Sequence, residues 1–236
     1  MPSYPPGLIG LACGEISRYS DFIPSFAALQ KPNGTQFMKS AGLGPAVSFN
    51  AIGRAFLDHK ELEWLFLTND DNLVPPDTIT RLLDHKVDVV SGLYFGRLMP
   101  FEPILFDKIE KVNGKPWYHR HLMKTGEEGL IRAEAVGDGC LMIRRHVMEK
   151  ISDPWWEYGV TLTDACDHDV MFSRKVKSAG FKLYCDLDLI VDHVANFAVR
   201  PFRAPDGSWY ARLHQNERYI ELPAAHKGLE DGPANS

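Results

Sequence analysis

Residues 63–76, EWLFLTNDDNLVPP, constrain this chain more than any other stretch. The run Trp64–Leu67 is apolar throughout rather than alternating, the pattern of a parallel strand covered on both faces. It passes almost at once into Asn69, Asp70, Asp71 and Asn72, and Pro75 and Pro76 follow. A buried strand that stops in adjacent carboxylates needs layers above and below it, and a reason for the acids at its end.

The neighbouring sequence supplies the layers. GLIGLAC (7–13) reads as a first buried strand. PAVSFNAIGRAFLDHK (45–60) predicts a helix: Pro45 suits the first turn, and Phe49, Ile52, Gly53 and Phe56 share one face. Residues 75–86 predict a second helix with Ile79, Leu82 and Leu83 on one side, and VDVVSGLYF (87–95) a third strand. This strand–helix alternation implies an α/β fold, a Rossmann-like and mostly parallel sheet flanked by helices. Beyond residue 100 the pattern becomes α+β. Residues 102–119 predict a hairpin turning at Asn113-Gly114. LIRAEAVG and CLMIRR read as strands, RHVMEKI as a short helix, and DPWWEYG as an aromatic loop. A helix over 167–179, closed by Gly180, leads into FKLYCDLDLIVDHV, one or two strands. No linker is visible. The expectation is one domain over 1–194, with halves meeting near residue 100, and a loop or tail over 195–236.

Composition narrows the class. The 236 residues are 44% hydrophobic and 24% charged, enough for a full core. A net charge of −5 with scattered Lys and Arg argues against duplex nucleic acid as the main partner. The four cysteines form no CxxC pair, the N-terminus lacks a signal-peptide pattern, and no apolar run approaches the roughly 18 residues of a membrane span. Reduced thiols in a cytoplasmic protein are the expectation.

Ligands of open α/β sheets bind beyond the carboxyl ends of the strands, where Asp70 and Asp71 stand. Hard oxygen donors there suit Mg²⁺ or Mn²⁺ shared with substrate phosphates; Asp-Asp-Asn before Pro-Pro is equally a turn. A second cluster, Asp164, Asp167, His168 and Asp169, opens the helix whose inward stripe is Phe172, Val176 and Ala179. Asp169 shares that face. Either Asp167 caps the helix while Asp169 complements its dipole, or one of them is a working base. Trp155, Trp156 and Tyr158 could stack on a sugar or base, or roof the core. Asp138, between Gly137 and Gly139, could bind an acceptor hydroxyl or simply turn the chain. Arg97, Arg200 and Arg203 could meet a diphosphate or stay solvated. In ANFAVRPFRAPDGSWYARLH (195–214), Pro201, Pro205 and Gly207 argue against a regular element. A loop folding over bound diphosphate is expected there.

Three segments carry a resemblance. LEWLFLTNDDNLVPPDTITRLLDHKVDVVSGLYFGR resembles the nucleotide-sugar half of GT-A glycosyltransferases of the family 2 type. NDDN matches the Asp-x-Asp element there, with Asp71 at its last, metal-binding acid and Asn69 where the first acid usually stands. AVGDGCLMIRRHVMEKISDPWW is similar to the acceptor-side segment. DACDHDVMFSRKVKSAGFKLYCDLDLIVDH is similar to the acidic helix, the following strand and a closing His. His168 replaces the usual Glu, and Asp169 matches the Asp. The resemblance spans roughly residues 7–194. It implies a GT-A-like enzyme moving a sugar from a nucleoside-diphosphate sugar to an acceptor hydroxyl, with inversion. Mn²⁺ or Mg²⁺ would sit on Asp71, helped by Asp70 and His193; Asp169 would be the base, with Asp167 the second choice. The acceptor is open: a glycan, small molecule, protein or modified nucleic-acid base. Two rivals stand beside it. A sugar-nucleotide nucleotidyltransferase would carry a Gly-rich, basic loop, whereas ACGEISRYSDF has one Gly and Arg18. A catalytically degenerate nucleotide-sugar or glycan-binding module would account for Asn69 and His168.

Overall fold

The computed structural model describes residues 4–13, 20–113, 115–160, 165–166, 168–215 and 217–223. They fall into two units, one formed by the chain up to Gly96 together with Glu102–Val194, the other by Arg97–Phe101 and the segment from Ala195 onward.

In the first unit the elements run β1 (Gly7–Cys13), α1 (Phe22–Ala28), β2 (Gln36–Ala41), α2 (Pro45–Asp58), β3 (Trp64–Asn69), β4 (Asn72–Leu73), α3 (Thr78–Asp84) and β5 (Val89–Leu93). They continue through β6 (Leu105–Val112), β7 (Lys115–Arg120), β8 (Leu130–Ala133), β9 (Ala135–Val136), β10 (Cys140–Arg144) and α4 (Arg145–Lys150). β11 (Gly159–Val160), β12 (Ala165–Cys166), α5 (His168–Ser178), β13 (Leu183–Ile190) and β14 (Asp192–His193) complete the unit. A seven-stranded sheet has the order β2-β1-β3-β10-β5-β13-β8. Pairing is parallel for β2–β1, β1–β3 and β5–β13, and antiparallel for β3–β10, β10–β5 and β13–β8. Five strands therefore point one way, and β10 and β8 point the other. The expected α/β class is the observed one, and the sheet draws strands from both halves of the chain. β10, buried from Cys140 to Ile143, lies between β3 and β5 at the centre of the sheet.

Both faces of β3 are covered. Leu65 and Leu67 join Phe49, Ile52 and Phe56 of α2 and Phe172 of α5. Trp64 and Phe66 join Ile79, Leu82 and Leu83 of α3. Burial on each face is what removes the alternation from this strand. Pro45 opens α2, and Gly180, at φ 94°, ends α5 while Phe181 N–H reaches back to Val176 O at 3.2 Å. Periodicity did not announce α1 or β2. β2 is an edge strand with one buried residue, so it carries no apolar run.

Trp155 and Trp156, candidates either for stacking on an acceptor or for roofing the core, are core residues, 4% and 1% exposed. Trp156 stacks flat on Phe172 at 4.5 Å. Asn50 clamps their backbone: its Oδ1 accepts from Trp155 N–H at 2.8 Å and Trp156 N–H at 3.0 Å, and its Nδ2 donates to Trp156 O at 2.7 Å. Neither ring has a face left for a sugar. Tyr158, 57% exposed, is the aromatic side chain of this loop that reaches solvent.

The second unit corrects the expected loop. β15 (Ala198–Arg203), β16 (Trp209–Gln215) and β17 (Arg218–Pro223) form an antiparallel sheet in that order. Pro201 lies on an edge strand, where a missing donor is tolerated, and Pro205 and Gly207 shape the turn rather than break a strand. Arg212 lies over the rings of Phe202 and Tyr219, at 3.9 and 4.3 Å from their centroids. Gln215 ties in the short segment, accepting from Met99 N–H at 2.9 Å and donating to Arg97 O at 2.6 Å. The tail expected over 224–236 lies outside the described residues. Among the described residues no helix is long and apolar enough to cross a membrane.

Two polar clusters hold the first unit's layers. The first is the Asn50 clamp. The second is Asp186 on β13, buried, which accepts from Arg81 of α3 at 2.6 and 2.9 Å and meets His85 Nε2 at 2.8 Å. Burial pushes the Asp186 carboxyl up, but the hydrogen bonds from Arg81 and His85 outweigh it and hold the group below its ordinary value. A depressed carboxyl stabilises the fold above the unfolded pKa of about 3.9 and loses that contribution as pH falls through its folded value. Asp186→Asn is therefore expected to lower unfolding stability at pH 7 by about 3 kcal/mol, with the deficit shrinking below about pH 4. Urea melts across pH check this, and a deficit independent of pH contradicts it. Asn50→Ala leaves three buried backbone groups without partners and should lower stability by about 3 kcal/mol in the same melts.

Candidate active site

β3 ends at Asn69, and the chain turns through Asp70 and Asp71 into β4. Two short ties hold this turn. Asp70 N–H donates to Ala12 O at 3.3 Å near the end of β1. β4 pairs antiparallel with β14, Asn72 opposite His193 and Leu73 opposite Asp192, and Val194 N–H donates to Asp71 O at 2.8 Å. Asp70 and Asp71 are both buried, at 7% and 9% exposed. Asn69 Nδ2 donates to Asn72 Oδ1 at 3.4 Å, so the residue in the place of a usual acid braces the turn.

His193 approaches Asp71, Nε2 to Oδ2 at 3.4 Å. Its Nδ1 lies 2.9 Å from Phe95 O. A carbonyl only accepts, so Nδ1 carries a proton and the ring orientation is set. Nε2 then faces the carboxylate. In the neutral ring it presents a lone pair to an anion, an arrangement that a proton or a cation between them relieves. A ring N–H donated to a backbone carbonyl is a common supporting contact of a metal-binding histidine, and here it leaves Nε2 on the Asp71 side.

The Gly137-Asp138-Gly139 turn precedes β10. A Cβ on Gly137 would lie 2.0 Å from Tyr94 Oη, and one on Gly139 would lie 2.4 Å from Asn72 Oδ1. Glycine at both positions lets the turn press against the strand ends. Gly139 N–H donates to Tyr94 Oη at 3.0 Å. Asp138 is buried, and its Oδ2 lies 3.0 Å from His168 Nε2, a close ion-pair approach whose angles fall outside hydrogen-bond geometry. His168 opens α5 with its ring beside Phe49 and Tyr158, at centroid distances of 6.0 and 5.5 Å. Asp169 follows, buried in the first turn, with Oδ1 accepting from Val170 N–H at 2.7 Å. The helix N-terminus favours its ionised form.

Tyr94 joins the two groups. Its ring stands edge-on to His193 at 5.6 Å. Burial pushes its hydroxyl well above the ordinary tyrosine value, and the nearby charges of Asp138 and Asp169 push it further, so the phenol stays neutral. Sequence reasoning passed over Tyr94. It follows β5, so the strand-end logic that picked out Asp70 and Asp71 would also have found it.

The fold thus brings Asp71 to His193, and Asp138 and Asp169 to Tyr94. Asp167 lies outside the described residues. Arg97 belongs to the short segment of the second unit, and Arg200 and Arg203 to β15. Among the described residues no three His, Cys, Asp or Glu side chains are gathered as a metal site. A divalent ion here would rest on Asp71 and His193 with donors from outside the chain, and Mg²⁺ and Mn²⁺ commonly complete their shells with phosphates and water.

No protein-family model matches the sequence, and no curated protein matches it. Solved structures do. The crystal structure of A197 from STIV superposes with a TM-score of 0.57 at 17% identity, covering 93% of this chain and 100% of that one. GalNAc-T7, solved with UDP, GalNAc and Mn²⁺, superposes with a TM-score of 0.52 at 10% identity, over 80% of this chain and 44% of that one. TarS 1-349 of S. aureus, in complex with UDP-GlcNAc, gives 0.49 at 11% identity, over 80% of this chain and 58% of that one. The chain spans the whole of A197 and less than two thirds of the other two. At such identities the likeness is one of fold, and that fold is the mixed α/β, GT-A-like one.

Proposed function

We propose that this chain is a metal-dependent glycosyltransferase that moves a sugar from a nucleoside-diphosphate sugar to an acceptor hydroxyl, with inversion. The observation that carries the reading is the Asp71–His193 pair at the end of β3, with Nδ1 of the histidine fixed by Phe95 O. The GT-A-like fold supports it, as does GalNAc-T7, a structure of that likeness solved with UDP and Mn²⁺.

Asp71 and His193 hold the ion in this reading, with Asp70 beside them. When bound, a divalent ion neutralises charge on the departing diphosphate. The imidazole donor favours Mn²⁺ over Mg²⁺. Asp169, kept ionised by the start of α5, takes the proton of the acceptor hydroxyl, and Asp167 is the alternative base. Asp138, turned inward between its glycines, accepts a hydrogen bond from the acceptor. Tyr94, as a neutral phenol, stands between the two groups and stiffens His193. The rival reading is a degenerate nucleotide-sugar-binding module, favoured by His168 standing against Asp138 in place of an acid. Metal-dependent release of free sugar from the donor separates the two, since a binding module releases none.

Two substitutions test the assignment. Asp71→Asn should fold normally yet weaken Mn²⁺-dependent binding of a nucleoside diphosphate by about tenfold or more, because a neutral amide is a poor ligand for a hard cation. Calorimetry reads this, and unchanged affinity rejects the metal assignment. Asp169→Asn should reduce turnover by about 10²–10⁴-fold while donor affinity stays at the parent value. If activity survives there and is lost in Asp167→Asn, the base is Asp167.

A further inference from the structure

The β6–β7 hairpin has two unlike faces. Its register sets Ile109 opposite Tyr118, with Lys108 opposite His119 and Glu110 opposite Trp117. Tyr118 packs inward on Phe106, Ala135 and Val170. The alternate residues face out, and there Trp117, 44% exposed, stacks on His119 at 5.2 Å and 15°. A large open indole is unusual on a solvent-facing strand, where cross-strand ion pairs alone would suffice. This face borders a cavity of ≈ 600 Å³ lined from Glu102, at the base of the hairpin, to Trp117, near its turn.

Most charges lining the cavity are paired within the chain, some with residues just outside it, and Lys124 adds a further cation to the lining. Glu110 pairs with both Lys108 and His119, Arg120 Nε lies 3.1 Å from Glu102, and Asp107 lies 3.2 Å from His121. With Lys108, His119, Arg120, Glu102 and Asp107 each already paired, the wall makes little demand for an ionic ligand. It offers fixed donors and acceptors around a flat apolar ring. A pyranose has the matching chemistry, since its C–H face lies on an indole while its hydroxyls meet polar edges.

The strand that walls the cavity leads back to the candidate acceptor turn. β6 pairs with β9, which runs directly into Gly137-Asp138-Gly139, and Gly137 N–H donates to Ile104 O at 3.1 Å. Trp117, level with Glu110, is displaced from Ile104 by six strand residues, about 20 Å. That is the reach of several linked sugars. We infer that this groove binds a neutral oligosaccharide, with Trp117 as the stacking platform for residues remote from the end presented at Asp138. Only the identification of that oligosaccharide as the acceptor rests on the glycosyltransferase reading.

The test uses the full chain without metal or donor. Chitotetraose, cellotetraose, maltotetraose and mannotetraose are each titrated, followed by calorimetry and tryptophan fluorescence, with a sulfated heparin tetrasaccharide as the anionic comparison. At least one neutral tetrasaccharide should bind with a dissociation constant of millimolar or below. Trp117→Ala should weaken that binding at least tenfold, Trp117→Phe should retain part of it, and both variants should unfold at the parent's urea midpoint. Absence of binding by all four neutral sugars, equal binding by Trp117→Ala, or preference for the heparin fragment overturns the proposal. Because neither metal nor donor is present, these outcomes are independent of the Asp71→Asn result.

Discussion

The antiparallel pairing of β4 with β14 is the contact on which the candidate site depends. It involves two residues from each strand. Without it the acidic turn would be a loop tip and His193 an isolated residue after a strand. With it, Asp71 O receives Val194 N–H, and Asp71 and His193 face each other across the pair. The pairing is possible because β13 is delivered to the sheet beside β5, so the chain leaving β13 emerges at the same edge as the chain leaving β3.

A second close approach completes the arrangement. The Gly137-Asp138-Gly139 turn fits between Tyr94 and Asn72 because neither glycine carries a side chain. Asp138 is thereby buried within reach of His168, and the phenol of Tyr94 takes a hydrogen bond from Gly139. The result is a connected set running from Asp71 through His193 and Tyr94 to Asp138 and Asp169. One end carries donors suited to a hard cation. The other carries the Asp138 carboxylate in its glycine turn and the Asp169 carboxylate in the first turn of α5.

The aromatic residues divide by environment rather than by type. Trp155 and Trp156 occupy a loop, as expected, yet Asn50 draws their backbone into the core and Phe172 and Phe49 cover Trp156. Trp117 lies on a strand with one side open. A loop assignment therefore says little about whether an aromatic ring is available. What decides is whether a buried polar group satisfies the loop backbone from beneath.

Much of the frame was legible. The unbroken apolar run of β3, the helix face of α2 and the glycine after α5 each reflect local physics: burial on both faces, a 3.6-residue period, a left-handed cap. The acids at the end of β3 and the start of α5 were legible too, since strand ends and helix starts are where α/β folds meet ligands. Strand order was not. Nothing local in CLMIR marks an antiparallel strand destined for the middle of the sheet, and nothing in AVRPFR shows that its proline will lie on an edge. Burial of the tryptophans, the glycine contacts with Tyr94 and Asn72, and the two faces of the β6–β7 hairpin depend on residues distant in sequence. The sequence by itself determined the buried strands and amphipathic helices of the first unit, the class of fold and the acidic residue types at their ends, because each follows from periodicity and local backbone preference. The tertiary structure alone decided which of those residues meet, because pairing and packing are set by contacts between segments that no local pattern encodes.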